Sequence, residues 1–509
     1  MSAGDPGPNE SQGEQPLAAG SAREREALTW LYRFSDWERG VGWSRDAAPE
    51  EVWKLGRTRA LLDLAGAPDR ELRIAHVAGT KGKGSTVTYL ESIARAAGWR
   101  TGTYTQPHLH NFRERIRLDG QPVDPERFAA GVDRLRELVD ELRARHPDAG
   151  APTTFELTTV LAVLLWAEAG VDLGIAEVGL GGRLDATNAL ATDLALIATI
   201  GLDHRQILGR TLAEIAAEKV AIARPGRVVL SSVQRPPARA VIAEHCARVG
   251  ARLREVTPLR TTRGERGGRE VADGRGGALV TGRLRDGSRF ITELGLAGQL
   301  EGVGRHQRQN AALAVAAAEA LAEGAGQRDA TTGQASGKLP LTAASVERGL
   351  RDAWLPARLE LARIRPRVLI DAAHNVDSAR ALAEELARWR NRPLWLVLGI
   401  LRDKDASAIL RVLLPLADGV VVATPTSPRA LPAEALASAC RAVSGIEVAR
   451  ASSVAAAVEL ARERAGRDGA VAVAGSFATA SEAREALGLA EVVTGEARRA
   501  WLRAGGLEG

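Results

Sequence analysis

A glycine-rich segment with two lysines is the part of this sequence whose residue types most directly indicate chemistry. The segment consists of Gly79, Thr80, Lys81, Gly82, Lys83, Gly84 and Ser85. Glycines let the backbone wrap around phosphate oxygens, the N–H groups of a following helix face the anion, and Lys83 supplies a positive charge for β- and γ-phosphates. The spacing differs from GxxxxGK[ST] by one glycine between the lysine and the serine. We predict a phosphate loop, against the alternative of a glycine-rich turn that binds nothing.

Acidic and basic residues follow two later apolar stretches. Glu177 ends the stretch 171–178, Asp203 and His204 follow the next stretch, and Lys219 lies in the helical pattern 212–223. Nucleoside triphosphate chemistry requires Mg²⁺, which prefers oxygen ligands. Glu177 is therefore a natural ligand for Mg²⁺. Taken singly, such residues are more often surface acids, a packed histidine and an exposed helix lysine. Lys81 is open to two interpretations, a second phosphate contact or a position in solvent.

The frame for these residues is an alternation of apolar stretches and helical patterns. The first series is 73–78, 171–178, 194–200 and 227–231, and the second is 367–370, 394–398, 419–423 and 470–474. This alternation indicates parallel sheets with helices on both faces, and ligands bind at the carboxyl ends of such strands. We divide the chain into a disordered tail at 1–20, a first domain at 21–355 and a second at 356–509. The segments 260–287 and 324–337 are expected to be insertions or surface loops within the first domain.

Composition excludes several other classes of protein. The chain of 509 residues is 45% hydrophobic and 26% charged, and no apolar stretch approaches the roughly 20 residues of a membrane span. Two distant cysteines support neither a disulfide framework nor a zinc site. The net charge of +5 is spread among acids, and aromatic residues are only 4%, so a nucleic-acid-binding module is disfavoured. The polar N-terminus lacks a signal-peptide pattern, so we expect a cytoplasmic location.

Taken in order, these and further motifs resemble the folylpolyglutamate synthase and dihydrofolate synthase family of the Mur ligase superfamily. Besides the glycine-rich segment and residues 177–188, the matching motifs are Pro107-His108, Glu114-Arg115-Ile116-Arg117, Gly201-Leu202-Asp203-His204, Glu218-Lys219, His306-Gln307 with Asn310, Pro356-Ala357-Arg358-Leu359-Glu360, Asp371-Ala372-Ala373-His374-Asn375 and residues 399–405. The resemblance implies a P-loop-containing, Mur-ligase-like ATPase domain with a parallel central sheet and a smaller C-terminal Rossmann-like α/β domain. The nucleotide is expected between the two domains.

The resemblance also implies the roles of individual residues. Catalytic roles are implied for Lys83, Lys219 and His374. ATP contacts are implied for Gly79, Thr80, Lys81, Gly82, Lys83, Gly84, Ser85, Asn310, Arg358 and Asp371. Two Mg²⁺ ions are implied, with Glu177, His204, Gln106 and a carbamoylated Lys219 as ligands. Substrate contacts are implied for Thr153, Thr154, Phe155, Arg183, Leu184 and Asp185. A carbamate suits Lys219 because a neutral amine takes up CO₂, whereas arginine stays charged.

The resulting hypothesis is a ligase that uses ATP to join L-glutamate to a folate, with dihydropteroate left open as a second acceptor. The γ-phosphoryl group of ATP would pass to a folate carboxylate, and the glutamate amine would attack the acyl phosphate. We expect a monomer with no membrane or nucleic-acid partner. Gln106 stands where the family usually has serine, and Ala372 where it has glycine. The alternative within the superfamily is a peptidoglycan precursor ligase.

Overall fold

The structure, a computed structural model, describes residues 21–35, 55–262, 279–292, 294, 305–324, 340–389 and 391–507. The expected tail at 1–20 lies outside the described residues, as do most of the segments 260–287 and 324–337. Within the described part of the chain, no helix is both long enough and apolar enough to cross a membrane.

An eight-stranded sheet forms the centre of the first part of the chain. Its strands are β1 (Ile74–Ala78), β2 (Thr101–Tyr104), β3 (Ile116–Leu118), β4 (Gln121–Pro122), β5 (Leu173–Glu177), β6 (Leu194–Ile197), β7 (Val228–Ser232) and β8 (Arg252–Val256). Their order is β4-β3-β2-β5-β1-β6-β7-β8; the pairs β2–β3 and β3–β4 are antiparallel, and the other pairs are parallel. The predicted parallel sheet is confirmed, and β1, β5, β6 and β7 are buried throughout. Such strands are apolar on both faces because helices cover both sides.

Helices surround this sheet on its two faces. They are α1 (Ala22–Leu31), α2 (Leu55–Leu64), α3 (Lys83–Ala96), α4 (Pro125–Arg145), α5 (Thr154–Ala169), α6 (Arg205–Leu208), α7 (Leu212–Val220), α8 (Pro236–Val249), α9 (Arg305–Ala322) and α10 (Ala343–Asp352). Helices α9 and α10 pack on α3, whereas α1, α4 and α5 pack together on the other face. The helix after the glycine-rich segment begins at Lys83, inside that segment. The first amides of α3 therefore belong to the loop itself.

A small antiparallel sheet corrects the expectation that 260–287 is a surface loop. Strands β9 (Arg260–Thr262), β10 (Leu279–Arg283) and β11 (Arg289–Thr292) pair in the order β11-β10-β9. Val280 and Phe290 are buried in the same hydrophobic core as α9 and α10. The loop prediction was wrong at both ends of the segment because glycine and arginine content hid two short apolar patterns there.

A second sheet of six strands lies in the C-terminal part of the chain. Its strands are β12 (Glu360–Ile364), β13 (Arg367–Ile370), β14 (Leu394–Leu398), β15 (Gly419–Val422), β16 (Glu447–Arg450) and β17 (Ala470–Ala474). The order is β12-β13-β17-β14-β15-β16, with β12 as the antiparallel edge strand. The helices are α11 (Val376–Leu386), α12 (Ala406–Leu413), α13 (Ala433–Val443), α14 (Val454–Ala465), α15 (Phe477–Ala486) and α16 (Gly495–Arg503). We call the parts of the chain around the two sheets the first unit and the second unit.

Candidate active site

A cleft of about 800 Å³ lies between the two units and collects most of the predicted site residues. Loops that follow β1, β2, β5 and β6 line it from the first unit. The second unit contributes the segment after β13, the start of α11 and the start of α15. The carboxyl ends of parallel strands meet at one edge of a sheet, which is where ligands bind in folds of this kind.

The glycine-rich segment forms a tight loop from β1 into α3. The backbone N–H groups of Thr80 and Lys81 both donate to the carbonyl oxygen of Thr199, at 2.9 and 3.1 Å. Gly82 has φ +82°, and a Cβ atom there would lie 2.2 Å from Oδ1 of Asn310. Only glycine fits this position, because both the backbone conformation and the contact with Asn310 exclude a side chain. The first amides of α3 carry no partner inside their own helix and suit an anion.

Lys83 and Glu177 face each other across the floor of the cleft. The Lys83 ammonium lies 3.8 Å from Oε1 of Glu177, whose side chain is 6% exposed at the end of β5. The backbone N–H of Gln106 points to Oε2 of the same carboxylate at 3.4 Å. Nε2 of Gln106 is buried and, among the described residues, has no hydrogen-bond partner. The Gln106 side chain also lies beside Gly179, where a Cβ atom would be 2.8 Å from Nε2.

Lys219 is buried at the end of α7, with only 4% of its surface exposed. The alternative of an exposed helix lysine is therefore wrong. Burial and the nearby charge of Lys83 together lower the pKa of Lys219 to about 7, against the opposing effect of Asp203. Near neutral pH the amine is thus neutral in a substantial fraction of molecules. That is the state in which a lysine acts as a nucleophile toward CO₂.

His204 and Asp203 occupy the loop after β6, where Asp203 touches the second unit. His204 has φ +48°, a conformation that is costly for a residue with a side chain and is found mostly at functional sites. Burial lowers the pKa of His204, so its imidazole is neutral at pH 7. Oδ2 of Asp203 accepts a hydrogen bond of 3.0 Å from Nδ2 of Asn375. The Lys81 ammonium reaches the same helix, 3.1 Å from Oδ2 of Asp377, so Lys81 does not lie free in solvent.

Arg358, Asp371 and His374 enter the cleft from the second unit. Arg358 stacks over the ring of Phe477, with 4.7 Å between its guanidinium carbon and the ring centroid. Oδ2 of Asp371 accepts the N–H of Leu359 at 2.8 Å. Nδ1 of His374 lies 2.8 Å from the carbonyl oxygen of Ala372. A carbonyl only accepts, so Nδ1 carries the proton and Nε2 keeps its lone pair.

The geometry of this segment also explains why alanine is tolerated at position 372 and which protonation state His374 has. Ala372 does not have a positive φ, so alanine at the position of the family's glycine causes no backbone strain. Burial lowers the pKa of His374 to about 4, against the backbone hydrogen bond to Ala372, which raises it. His374 is therefore neutral at pH 7, with Nε2 available as an acceptor.

The predicted substrate contacts are only partly brought together. The cleft is lined by Thr153, Thr154, Phe155, Leu184 and Asp185. Phe155 stacks on Tyr104 with 5.9 Å between centroids. The hydroxyl of Thr153 caps α5, and that of Thr154 donates to the carbonyl of Leu31, so both are used in the fold. Arg183 is 48% exposed, pairs with Glu218 at 2.8 Å and does not line the cleft. Its predicted contact with substrate therefore lacks support from the geometry.

An aromatic wall at one end of the cleft was not singled out from the sequence. Phe112 contacts Tyr32 at 5.9 Å and His108 at 5.5 Å between centroids, and the guanidinium of Arg115 lies 4.8 Å above the same ring. His108 and Arg115 belong to motifs that carry the family resemblance, which is the signal that pointed to them. Tyr32 directly follows α1 and is far from Phe112 in the sequence, so no local sequence pattern connects it to the site.

The fold and the cleft together define the class of protein. Residues 357–477 match the family described as Mur ligase, glutamate ligase domain. A glycine-rich loop between a strand and a helix, facing such a unit across a cleft, is typical of ATP-dependent ligases of the Mur type.

Comparison of the sequence with known proteins identifies the family within this class. A dihydrofolate synthase/folylpolyglutamate synthase from Mycobacterium tuberculosis is 35% identical over 400 residues, covering 75% of this chain and 76% of that protein. A Bacillus subtilis protein of the same name is 34% identical over 380 residues, covering 74% and 82%. The chain therefore belongs to the folylpolyglutamate synthase and dihydrofolate synthase family, whose members are ATP-dependent ligases of folate and glutamate.

Solved structures agree with this assignment. Folylpolyglutamate synthase from M. tuberculosis, complexed with ADP and AMPPCP, superposes with a TM-score of 0.73 at 31% identity, covering 91% of this chain and 98% of that one. E. coli FolC in complex with DHPP and ADP gives 0.73 at 28% identity with the same coverage. The bifunctional Yersinia pestis enzyme with AMPPNP and a Mn ion gives 0.71 at 27%, covering 92% and 98%.

Proposed function

We propose that the cleft binds ATP with Mg²⁺, transfers its γ-phosphoryl group to a folate carboxylate and joins L-glutamate to the acyl phosphate. The observation that carries this proposal is the approach of Lys83 and Glu177 beside the phosphate loop, with Arg358 and His374 facing them from the second unit. The related enzymes crystallised with ADP, AMPPCP or AMPPNP support the nucleotide, and the Mn ion supports a divalent cation. We also propose that the two units are separate domains that meet near residue 356.

The residues around Glu177 fit a divalent cation, although the described residues hold no group of three histidine, cysteine or acidic side chains that would bind one alone. Glu177 offers a buried carboxylate, Gln106 the oxygen of an amide that lines the cleft, and His204 a neutral imidazole. Phosphate oxygens and a carbamate on Lys219 would complete the ligand set, since Mg²⁺ takes oxygen ligands and binds substrate phosphates. When bound, the cation neutralises charge on the phosphates. We propose two such ions, as the family resemblance implies.

The protein contributes positioning and charge to the reaction. Lys83 offsets the negative charge on the transferred phosphoryl group, and amides of the loop hold the phosphates in place. Asn310 and Arg358 contact the nucleotide from opposite sides. Nε2 of His374 accepts a hydrogen bond from the incoming amine and orients its lone pair toward the acyl carbon. The aromatic wall around Phe112, together with Phe155, offers ring faces for a flat heterocycle.

The complex of E. coli FolC with DHPP supports an acceptor of the pteroate type, and several relatives carry both synthase names. Whether this chain uses one acceptor or two is tested by supplying ATP, Mg²⁺ and L-glutamate with dihydropteroate, tetrahydrofolate or a nucleotide-sugar peptide. Phosphate release and the mass of the product are measured for each. We expect the added mass of glutamate with tetrahydrofolate. Turnover with the nucleotide-sugar peptide alone would contradict the proposal and favour a peptidoglycan precursor ligase.

A further inference from the structure

A buried cluster of polar side chains lies where the loop after β2 meets the second unit. His110 comes from the first unit, while Arg484 in α15 and Glu360 at the start of β12 belong to the second. Leu109, the neighbour of His110, packs against a hydrophobic core of the second unit. The reaction proposed above assigns no role to these residues.

The ring of His110 bridges the two units. Nη1 of Arg484 lies 2.5 Å from Nε2 of His110, and arginine has no acceptor, so Nε2 must be the acceptor. Nδ1 then carries the proton and lies 3.2 Å from both Oε1 of Glu485 and Oγ of Ser481. Burial and the charge of Arg484 lower the pKa of His110, which agrees with a neutral ring. The Ser481 hydroxyl also donates to the carbonyl of Leu109 at 2.8 Å.

Arg484 and Glu360 form an ion pair with no exposed surface on either side chain. Nε of Arg484 donates to Oε2 of Glu360 at 2.9 Å, and Nη2 donates to the carbonyl of Val492. His110 therefore supplies the acceptor for the remaining Nη1 contact. If the loop that carries His110 withdrew, a donor of a buried guanidinium would lose its partner, which is costly.

Glu360 also contacts the turn that carries Arg358. Its Oε2 also accepts the N–H of Ala357 at 2.9 Å. Ala357 and Leu359, which flank Arg358, have φ +54° and +49°, so the turn is strained on both sides. Leu359 is held in turn by Asp371. Two acids thus fix a backbone conformation that would otherwise relax, and Arg358 points into the cleft as a result.

We propose that His110, Arg484 and Glu360 form a latch that couples the seating of the Gln106–His110 loop on the second unit to the orientation of Arg358. The three are positioning residues, since their contacts join the loop to the turn of Arg358 and they act through that arginine. The proposal rests on the proposed role of Arg358 in nucleotide binding. It explains why a loop of the first unit inserts Leu109 and His110 into the second.

The test measures ADP affinity by calorimetry in the presence of Mg²⁺. The variants are His110→Ala, Arg358→Ala and the double variant, with His146→Ala at the exposed end of α4 as the matched control. We expect His110→Ala to bind ADP about tenfold more weakly, within the usual range of coupling between sites. The control should bind like the wild type. The double variant should bind no more weakly than Arg358→Ala alone, because residues that act through one another are not additive.

The outcomes separate the latch from the proposed function. If the wild type does not bind ADP, the proposed function and the latch both fail. If the wild type binds ADP and Arg358→Ala weakens binding while His110→Ala does not, the latch alone is overturned. Fully additive losses in the double variant also overturn it. Should His110→Ala not fold, Ser481→Ala removes the donor to Leu109 and is expected to weaken ADP binding in the same direction, and unchanged binding would count against the latch.

Discussion

Lysine is scarce in this chain, yet Lys81, Lys83 and Lys219 all line the cleft. Lys83 lies 3.8 Å from Glu177 and close enough to Lys219 to lower its pKa. Lys81 pairs with Asp377 across the cleft. Arginine offers a permanently charged, planar fork, whereas lysine offers a point charge that can lose its proton. The two side chains are therefore not interchangeable at these positions.

Replacing Lys83 by alanine is expected to lower the turnover number by about a hundredfold or more, because one electrostatic contact to a transferred group contributes ~3 kcal/mol. Phosphate release with tetrahydrofolate and glutamate measures the effect. Arg134→Ala, at an exposed position on α4, serves as the control and should behave like the wild type. Wild-type turnover in Lys83→Ala would show that the phosphate loop is assigned wrongly.

Replacing Lys219 tests the carbamate. Lys219→Arg keeps a positive charge but cannot take up CO₂, so we expect a loss of about a hundredfold. Lys219→Ala should lose as much and regain part of its activity when acetate supplies a carboxylate. A carbamate carbon signal from ¹³C-labelled bicarbonate, present in the wild type and missing in Lys219→Arg, would identify the modification directly. Full activity of Lys219→Arg in carbonate-free buffer would remove Lys219 from the site.

The same lysine gives a pH dependence whose sign follows from its lowered pKa. Below pH 7 the ammonium form predominates and cannot bind CO₂, whereas above pH 7 the neutral amine predominates. At an equal concentration of dissolved CO₂, enzyme depleted of CO₂ is therefore expected to recover activity faster at a pH above 7 than below it. The recovery rate, followed by phosphate release, measures this. Equal recovery on both sides of pH 7 would contradict the proposed carbamate.

At the scale of elements, the first turn of α5 connects the cleft, which Phe155 lines, to helix α2. Glu156 closes a capping box with Thr153 and also receives a two-pronged contact from Arg57 of α2, at 2.6 and 2.7 Å. Both side chains are about 95% buried. Glu156 thereby fixes the position of Phe155, which faces the cleft, against α2.

Replacing Arg57 by alanine should lower the free energy of unfolding by about 3–5 kcal/mol, because it leaves the buried carboxylate of Glu156 without its counter-charge. Urea unfolding followed by circular dichroism measures this loss. The exposed pair of Arg134 and Glu137 provides the comparison, since Arg134→Ala should cost less than about 1 kcal/mol. Equal costs for the two variants would contradict the structural role of Arg57.

At the scale of the whole molecule, the cleft is built from both units, so a nucleotide bound there should stabilise them together. At a concentration about 100 times its dissociation constant, a ligand that binds only the folded state adds about 2.7 kcal/mol to stability. We expect ADP with Mg²⁺ to raise the thermal unfolding temperature in a single transition. Chelating the metal should reduce this shift, and an equal shift without metal would contradict the proposed metal site.

The sequence was sufficient to predict what local pattern encodes. The strands β1, β5, β6 and β7 and four of the six strands of the second sheet were predicted because continuous apolar stretches are a strong signal. The loop from β1 into α3 was predicted because glycines and a lysine between a strand and a helix are specific in kind and spacing, while its binding of phosphate stays a prediction. Strands β12 and β16, at the edges of the second sheet, were missed because short, partly exposed strands have a weak pattern. The family resemblance supplied the roles that spacing alone left open.

Tertiary structure decided which of these residues meet and in what environment. The sequence pattern of an amphipathic helix is the same whether its lysine is exposed or buried. Only the packing of α7 buries Lys219 and lowers the pKa of its amine. Contacts such as Asn310 with Gly82, or His110 with Arg484, join residues separated by hundreds of positions, and no local pattern records them. The sequence therefore determined the elements and their chemical groups, while the packing of the two units determined the geometry and protonation in which those groups act.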